Sequence, residues 1–320
     1  MSKLSEFLTN IANAIRNLKG TSEPINAQNF ATEINSMKEA LDDTNATPQD
    51  IVVGKTAYVK GQKAEGKFNL AYELMNNQVG LDKLFVNNPD LAKMLELVEG
   101  VSEFNFKGYS HIFEGCDTLV KLPFKVILNT NTDMVGYDCN YIFYNCSSLE
   151  EVDLEVRTQY PSLMGVFQNC INLKKIKLTT RTNIFNTSQF AYNCYKLETI
   201  EGNILIRSGG TTKEMFYNCT NLKNLNFKLI QNSLQIGSGS SWGHLLTMDS
   251  LLSAIGACFN SSTKYTLTVG TANLEKLANV YVKLKDGYNT YYYQFDVCES
   301  TDEGAMTIDA YMALKNWKIA

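Results

Sequence analysis

Cysteine is the chemically reactive residue with the most regular spacing in this 320-residue chain. Thiols can bind metals, form disulfides or act as nucleophiles, but metal and redox sites usually contain cysteine pairs such as C-x-x-C. No such pair occurs here, and five of the eight cysteines instead follow one another at intervals of 30, 24, 24 and 25 residues: Cys116, Cys146, Cys170, Cys194 and Cys219. We therefore expect no metal site and no cofactor, and interpret these cysteines as small buried residues.

Other catalytic residue types give no assignable site either. His111 and His244 are the only histidines, and neither lies in a nucleophile or metal motif. Acidic residues number 33, but a distance between two carboxylates cannot be inferred from one sequence. We expect a protein that is not an enzyme. A polysaccharide-degrading enzyme is the alternative, which release of reducing ends would support.

Each regularly spaced cysteine lies in a repeated unit. Leucine follows the cysteine by three residues, another aliphatic residue follows by six, and asparagine or glycine directly precedes it. Three residues before the cysteine the chain has, in order, Phe113, Phe143, Phe167, Ala191 and Phe216. The unit is F-x-N-C-x-x-L-x-x-[IVL]-x-[LF]. A period of about 20–29 residues with this leucine spacing is typical of leucine-rich repeats.

The segments that follow the cysteines predict strands. Residues 151–154, 175–178 and 224–227 alternate apolar and polar side chains, which buries one face and exposes the other. One unit cannot bury its apolar face alone, so the units must stack into a solenoid. We expect a phenylalanine ladder and a cysteine ladder along the core. Disulfides within the cysteine ladder are not expected, because equivalent atoms lie about 4.8 Å apart.

These units resemble BspA-like leucine-rich repeats, which carry the same phenylalanine, asparagine-cysteine and leucine positions. The resemblance covers residues 100–246, and the pattern recurs five times. BspA-like repeats occur in bacterial surface adhesins and in phage and prophage tail proteins. In both settings the resemblance implies binding rather than catalysis.

The first 69 residues predict a separate small module. Apolar residues at three- and four-residue steps indicate one helix that ends near Gly20 and a second from Asn26 to Leu41. Residues 50–69 predict a β-hairpin with its turn at Lys60-Gly61. Residues 8–16, 25–30 and 54–61 resemble the N-terminal module of tail proteins in phages of Gram-positive bacteria. That resemblance implies attachment to other virion proteins or oligomerisation.

The whole chain is predicted to be an α+β protein of four parts. Residues 1–69 form the helical and hairpin attachment module, and residues 70–100 form a helical connector or N-terminal cap. Residues 101–246 form the repeat solenoid. Residues 247–320 form an α/β cap, which resembles the cap after such repeats in phage proteins and departs from it between Ala278 and Glu303. An open solenoid end would expose apolar surface, so a cap is also required physically.

One set of candidate binding residues lies on the strands. Seven residues after each repeat cysteine, strand side chains should point outward in a mixed-charge row: Pro123, Asp153, Lys177, Glu201 and Asn226. This row predicts a binding face. A solvated face without a ligand is the alternative.

A second set of candidates is aromatic. Residues 288–295 are rich in tyrosine, and exposed rings of Tyr291 and Tyr293 could stack on sugars of a wall polysaccharide. Packing of this segment inside the cap is the alternative, since tyrosine also favours strands. Trp242 lies among small residues and is predicted either to contact a ligand or to plug the solenoid end.

The resemblances together predict a phage tail-fibre or baseplate protein that binds a host cell-surface glycan. The expected partners are other tail or baseplate proteins and further copies of the chain, with a trimer implied by resemblance. A net charge of −4 argues against nucleic acid, and no segment is apolar enough for membrane insertion. The start resembles no secretory signal, so we expect synthesis in the host cytoplasm and assembly into the virion tail. A structural baseplate or head-decoration protein and a bacterial surface adhesin are the alternatives.

Overall fold

A computed structural model describes residues 3–42, 48, 51, 55–59, 62–67, 69–76, 85–106, 110–129, 139–238, 241–286 and 294–320. The chain divides into two compact units, Met1–Leu70 and Ala71–Ala320. Each unit is built differently, the first from helices and a hairpin and the second mainly from parallel repeat strands, with helices and a partly antiparallel cap.

The first unit contains two helices and two strands among its described residues. Helix α1 ends at Lys19, just before Gly20 as the sequence predicts. Asn26 caps a short 3-10 turn by accepting a hydrogen bond from Gln28 N at 3.0 Å. The α-helix proper begins after that turn, later than predicted. The elements are α1 (Lys3–Lys19), α2 (Phe30–Asp42) and the antiparallel strands β1 (Thr56–Val59) and β2 (Gln62–Glu65).

The second unit begins with short helices and an additional repeat turn. Helix α3 (Leu70–Asn76), helix α4 (Pro89–Lys93) and a 3-10 turn (Met94–Leu97) fulfil only part of the helical prediction for residues 70–100. Between them, Phe85 stacks on Phe113 with ring centroids 5.3 Å apart. Asn87 N also donates to Glu114 O at 2.7 Å, as equivalent residues do in later turns. Residues 85–91 are therefore a repeat unit in which asparagine replaces cysteine.

Two parallel sheets form the walls of the solenoid among the described residues. The larger has five strands in the order β3-β4-β5-β6-β8, and the smaller has three in the order β10-β9-β7. The larger comprises β3 (Glu103–Phe106), β4 (Lys125–Leu128), β5 (Glu151–Val156), β6 (Lys175–Thr180) and β8 (Thr199–Gly202). The smaller comprises β7 (Ile184–Asn186), β9 (Ile204–Thr211) and β10 (Phe227–Ile230). This architecture confirms the predicted α+β fold with a BspA-like solenoid.

Both predicted core ladders are present. The rings of Phe113, Phe143 and Phe167 are stacked, with neighbouring centroids 5.1 and 5.5 Å apart. Each repeat cysteine donates its S–H to a backbone carbonyl of the preceding turn, as Cys170 does to Phe143 O at 3.0 Å. All eight cysteines are free thiols. The thiols thus link successive turns without covalent bonds.

The asparagines that precede four of the five repeat cysteines form a third ladder, which we call the asparagine ladder. Asn169 Nδ2 donates to Asn145 Oδ1 at 2.9 Å, and the bond recurs from Asn193 to Asn169 and from Asn218 to Asn193. All four asparagines have a left-handed backbone, with φ between 60° and 64°. Asparagine tolerates this region better than most residues. The conformation turns the chain tightly and aligns the amides along the stack.

The cap closes the solenoid with two small sheets and three helices among the described residues. Strands β11, β12 and β16 are parallel, whereas β13 pairs antiparallel with β14 and β15. Lys315 is buried and donates to the carbonyls of Gly256 and Cys258, at the end of helix α5. The elements are α5 (Met248–Ala257), β11 (Leu234–Gln235), β12 (Tyr265–Thr268), α6 (Thr271–Leu277), β13 (Tyr281–Leu284), β14 (Phe295–Cys298), β15 (Met306–Thr307), α7 (Ile308–Leu314) and β16 (Trp317–Ile319).

Among the helices that the structure describes, none has both the length and the apolar character needed to cross a bilayer.

Candidate binding surface

The strand register brings three of the predicted row residues together. Asp153 pairs with Lys177 between β5 and β6, and Lys177 pairs with Glu201 between β6 and β8. Lys177 Nζ lies 2.8 Å from Asp153 Oδ2, and this hydrogen bond raises the pKa of Lys177. Lys175 Nζ lies 2.7 Å from Glu201 Oε1. Of the row residues, Asp153 and Lys177 form one ion pair, whereas Glu201 pairs with Lys175 outside the row.

A groove of about 330 Å³ crosses this face of the larger sheet. Asp153 and Lys177 both line it, together with Pro123. A further ion pair lies at its edge, between Lys121 Nζ and Glu151 Oε2 at 3.1 Å. The remaining lining residues are Ser102, Leu122, Phe124, Lys125, Val152 and Lys175. Charged groups of both signs therefore surround a shallow floor with apolar residues, which we call the strand groove.

Glu155 lies beside the groove and pairs with three cationic side chains. Its carboxylate accepts from Arg157 Nε at 2.7 Å and from Arg181 Nε at 3.1 Å, and Lys125 Nζ lies 3.6 Å away. The hydrogen bond from Arg157, followed by that from Arg181, lowers the pKa of Glu155 to about 2 against the opposing effect of burial. A carboxylate held ionised in this way orders the cations around it and is a poor proton donor at neutral pH.

Asn226 does not continue the row, and this corrects the sequence prediction. Ile200 N donates to Asn224 O, so an unbroken register would place Gly202 N, two residues on, against Asn226 O. The observed donor is Ile204 N, two residues later. At Gly202, φ is +108°, and an added Cβ would lie 1.9 Å from Leu178 O, so only glycine allows this close approach. The resulting bulge moves Asn226 beside Asn203.

Trp242 plugs the end of the solenoid. Its side chain is only 3% exposed and packs next to Tyr217, with ring centroids 6.2 Å apart. The ring of Tyr217 in turn stacks on Tyr192 at 4.9 Å. Of the two predicted roles, burial therefore favours the plug and corrects the expectation of a ligand contact.

Tyr291 and Tyr293 lie outside the described residues. The described neighbours of their segment are Lys285 and Gln294, which are joined by a backbone hydrogen bond from Lys285 N to Gln294 O at 3.0 Å. The contact predicted for the two tyrosines stays a prediction.

The repeat turns carry an aromatic row that the sequence analysis did not identify. His111 stacks on Tyr141 with ring centroids 5.1 Å apart, and Tyr141 packs edge-on against Tyr144. Tyr144 lies two residues before its repeat cysteine, and tyrosine recurs at this position as Tyr192 and Tyr217. This recurrence in the sequence could have indicated the aromatic residues. The rings form two groups, His111 with Tyr141 and Tyr144 and, beyond the turn that carries Gln168, Tyr192 with Tyr217.

A second missed pattern is the G-x-S-x-G sequence of residues 239–243. This pattern marks a nucleophile only on a sharp strand-to-helix turn. Ser241 instead lies in a turn closed by the antiparallel bridge between Ser238 and Trp242, and its hydroxyl donates to Ser238 O at 3.0 Å. The next helix, α5, begins only at Met248. The local structure does not match the nucleophile turn.

The repeat cysteines are chemically shielded. Burial raises the pKa of Cys170 and Cys194 well above the usual thiol range, and a thiol rather than a thiolate is a weak nucleophile. Within the described ranges, no group of three His, Cys, Asp or Glu side chains is placed to hold a metal ion. The side chains that the strand groove presents to a ligand are charged and hydrogen-bonding groups.

Comparison with known families identifies the repeats. Residues 107–208 and 139–240 match the family model described as "BspA type Leucine rich repeat region (6 copies)". BspA-type leucine-rich repeats are therefore present in the chain, and proteins with such repeats are often surface adhesin-like. Comparison with curated proteins and with solved structures gave no significant match.

Proposed function

We propose that this chain is a phage tail-fibre or baseplate protein that binds a host cell-surface glycan without cleaving it. The observation that carries the binding role is the strand groove, in which the ion pairs of Asp153 and Lys177 and of Lys121 and Glu151 are open to solvent at one surface. The presence of BspA-type repeats supports a binding role as well.

The groove suits a polyhydroxylated ligand on chemical grounds. A sugar hydroxyl both donates and accepts a hydrogen bond, and the groove offers lysine donors and carboxylate acceptors side by side. Lys177 is already paired with the partly buried Asp153, so the position of this charged donor is set before a ligand arrives. An open, shallow groove also admits a polymer that extends beyond it at both ends.

The virion assignment has separate support. It rests on the resemblance of residues 8–16, 25–30 and 54–61 to the N-terminal module of phage tail proteins. In this proposal the first compact unit attaches the chain to other tail or baseplate proteins and assembles it into a homo-oligomer. The second unit then carries the glycan-binding surface.

A bacterial surface adhesin is the second candidate, because BspA-type repeats are often adhesin-like. It shares the binding role and differs in where the protein resides. Antibody labelling of purified phage particles and of bacterial cells separates the two. A structural virion protein without a receptor role is the third candidate, and it predicts labelled particles but no binding to cells.

The binding role is tested with the labelled full chain and candidate host cells. We expect saturable binding that soluble wall polysaccharide competes away. Lys177→Gln should weaken this binding about tenfold, because it removes a charged donor from the groove. Lys174→Gln is the matched control, since Lys174 is also an exposed lysine in an ion pair, with Glu150 at 2.9 Å, but does not line the groove.

Each outcome separates two hypotheses. Equal binding by both variants would remove the strand groove from the binding site. Complete absence of binding by a folded chain, together with its presence in particles, would favour the structural role. Release of reducing ends from wall polysaccharide would contradict the proposal that the protein is not an enzyme.

A further inference from the structure

A second pocket lies where the last repeat strand meets the cap. Its volume is about 520 Å³, and strand β10, helix α5 and the ends of strands β13 and β14 contribute to it. Asn226, which the bulge at Gly202 moves out of the charged row, lies in its wall beside Asn203. We call it the cap pocket.

Hydrogen bonds join the two amides of the cap pocket to each other and to Ser253. Asn226 Nδ2 donates to Asn203 Oδ1 at 2.7 Å, and Ser253 Oγ donates to Asn226 Oδ1 at 2.6 Å. Ser253 is itself held by Phe227 N, which donates to its hydroxyl at 2.9 Å. Because the Asn203 oxygen is the acceptor, its NH₂ group remains as a pair of donors. The Asn203 amide thus offers donors to an incoming oxygen.

Two lysines give the pocket a positive charge. Lys228 is exposed on β10 and makes no ion pair with any residue that the structure describes. Lys285, at the opposite wall, lies 3.6 Å from Asp296 Oδ1, and both of those side chains are about half exposed, at 54% and 52%. An exposed pair of that kind is weak. Lys228 is therefore the cation of this pocket that no described carboxylate neutralises.

An aromatic ring completes the lining. Phe295 is partly exposed and lines the pocket, and its ring is held edge-on against the buried Tyr311 at a centroid distance of 4.9 Å. It also lies against Gly256, where an added Cβ would be 3.5 Å from the ring. A fixed ring next to oriented amides offers an apolar surface for the C–H face of a sugar.

We propose that the cap pocket binds one anionic sugar unit, whose phosphate or carboxylate is neutralised by Lys228. In this arrangement Asn203 donates to the ring or anion oxygens, and Phe295 contacts the apolar sugar face. The proposal deepens the glycan-binding function proposed above and rests on it. It names a site other than the strand groove and an anionic class of ligand.

The test uses isothermal titration of the full chain with defined oligomers. The probes are a glycerol phosphate oligomer, a galacturonate trisaccharide and maltotriose as a neutral reference. Asn203→Asp retains the acceptor for Asn226, removes the NH₂ donors and adds a negative charge. Lys228→Gln removes the cation. Lys213→Gln is the matched control, because Lys213 is an exposed lysine of the same solenoid that does not line the pocket.

We expect binding of at least one anionic probe and none of maltotriose. Binding of the phosphate probe alone or the galacturonate probe alone identifies the anion. Lys228→Gln and Asn203→Asp should each raise the Kd about tenfold or more, while Lys213→Gln changes it less than twofold. Circular dichroism and thermal unfolding of each variant establish that the fold is retained.

Failure of this proposal differs from failure of the proposed function. If the chain binds host cells but Lys228→Gln and Asn203→Asp leave every Kd unchanged, the cap pocket is not the site and glycan binding elsewhere stands. Equal affinity for maltotriose would overturn the anionic class. If anionic probes bind in the cap pocket but the chain binds no host cell, the cap-pocket proposal is supported and the proposed host-binding function is contradicted.

Discussion

Replacing Asn169 tests whether the asparagine ladder is held by its backbone conformation, its amide bonds or both. Asn169 has a φ of +64°, donates to Asn145 and accepts from Asn193. Alanine and glycine each remove both amide bonds. Only alanine must bear a Cβ in the left-handed region. The difference between the two variants therefore isolates the backbone contribution.

The magnitudes follow from these contacts. Two part-exposed amide bonds contribute about 0.5 kcal/mol each, or about 1 kcal/mol together. A left-handed alanine costs about 1–2 kcal/mol more. Glycine avoids that strain but lowers stability by about 0.5–1 kcal/mol through its more flexible unfolded chain. Asn169→Ala should lose about 2–3 kcal/mol and Asn169→Gly about 1.5–2 kcal/mol, with alanine the less stable variant.

The free energy of unfolding is measured by urea denaturation followed by circular dichroism. Asn172 is the matched control, since it lies three residues away and also makes two side-chain hydrogen bonds, to Ser147 O and from Lys196. Its φ is not positive, so there Asn172→Gly should be less stable than Asn172→Ala. The same order of alanine and glycine at both positions would refute the reasoning.

Three further predictions concern the core and the cap. Phe143→Ala should lower the free energy of unfolding by about 3–5 kcal/mol, because it leaves a cavity between two stacked rings; urea denaturation measures it, and a loss below 1 kcal/mol would contradict tight packing. Iodoacetamide at pH 8 should alkylate part-exposed Cys298 quickly and the seven buried cysteines only after unfolding, as mass spectrometry will count. Burial lowers the pKa of Lys315 to about 8. Since the unfolded chain keeps that proton up to about pH 10.4, Lys315 contributes a rise in the free energy of unfolding between these pH values, which the buried thiols oppose because their raised pKa values make stability fall above about pH 8.5. Lys315→Met should lack this rise; an identical pH profile would show that Lys315 does not titrate there.

The solenoid could be predicted from sequence because its determinants are periodic. The buried positions of strands β5 and β6 follow from alternation, and the core ladders follow from the fixed distance between Phe143, Cys146 and Leu149. The unit at Phe85 escaped prediction because its turn carries Asn88 where the others carry cysteine. A search for the repeat that requires cysteine misses a unit in which the phenylalanine and leucine positions are kept but the cysteine is replaced.

The binding residues were less predictable because they depend on register. Asp153, Lys177 and Glu201 are adjacent because β5, β6 and β8 keep one register. Asn226 is displaced because of the two-residue bulge at Gly202. The prediction took the residue seven positions after each cysteine, and that spacing gives no sign of a bulge in the neighbouring turn. The burial of Trp242 likewise depends on neighbours that are distant in sequence, Tyr217 among them.

The side-chain hydrogen bonds between turns all run in one direction, and this determines how a repeat can be added to the chain. Every repeat thiol donates backwards to the previous turn, and every ladder amide does the same. In these side-chain bonds each turn therefore donates to the turn before it and accepts from the turn after it, while the backbone supplies bonds that run forwards, as from Gly115 N to Tyr144 O. A duplicated copy of residues 146–169 would satisfy both neighbours and add about 4.8 Å of strand surface. Reach towards a ligand can thus be adjusted in whole steps, with both end structures left unchanged.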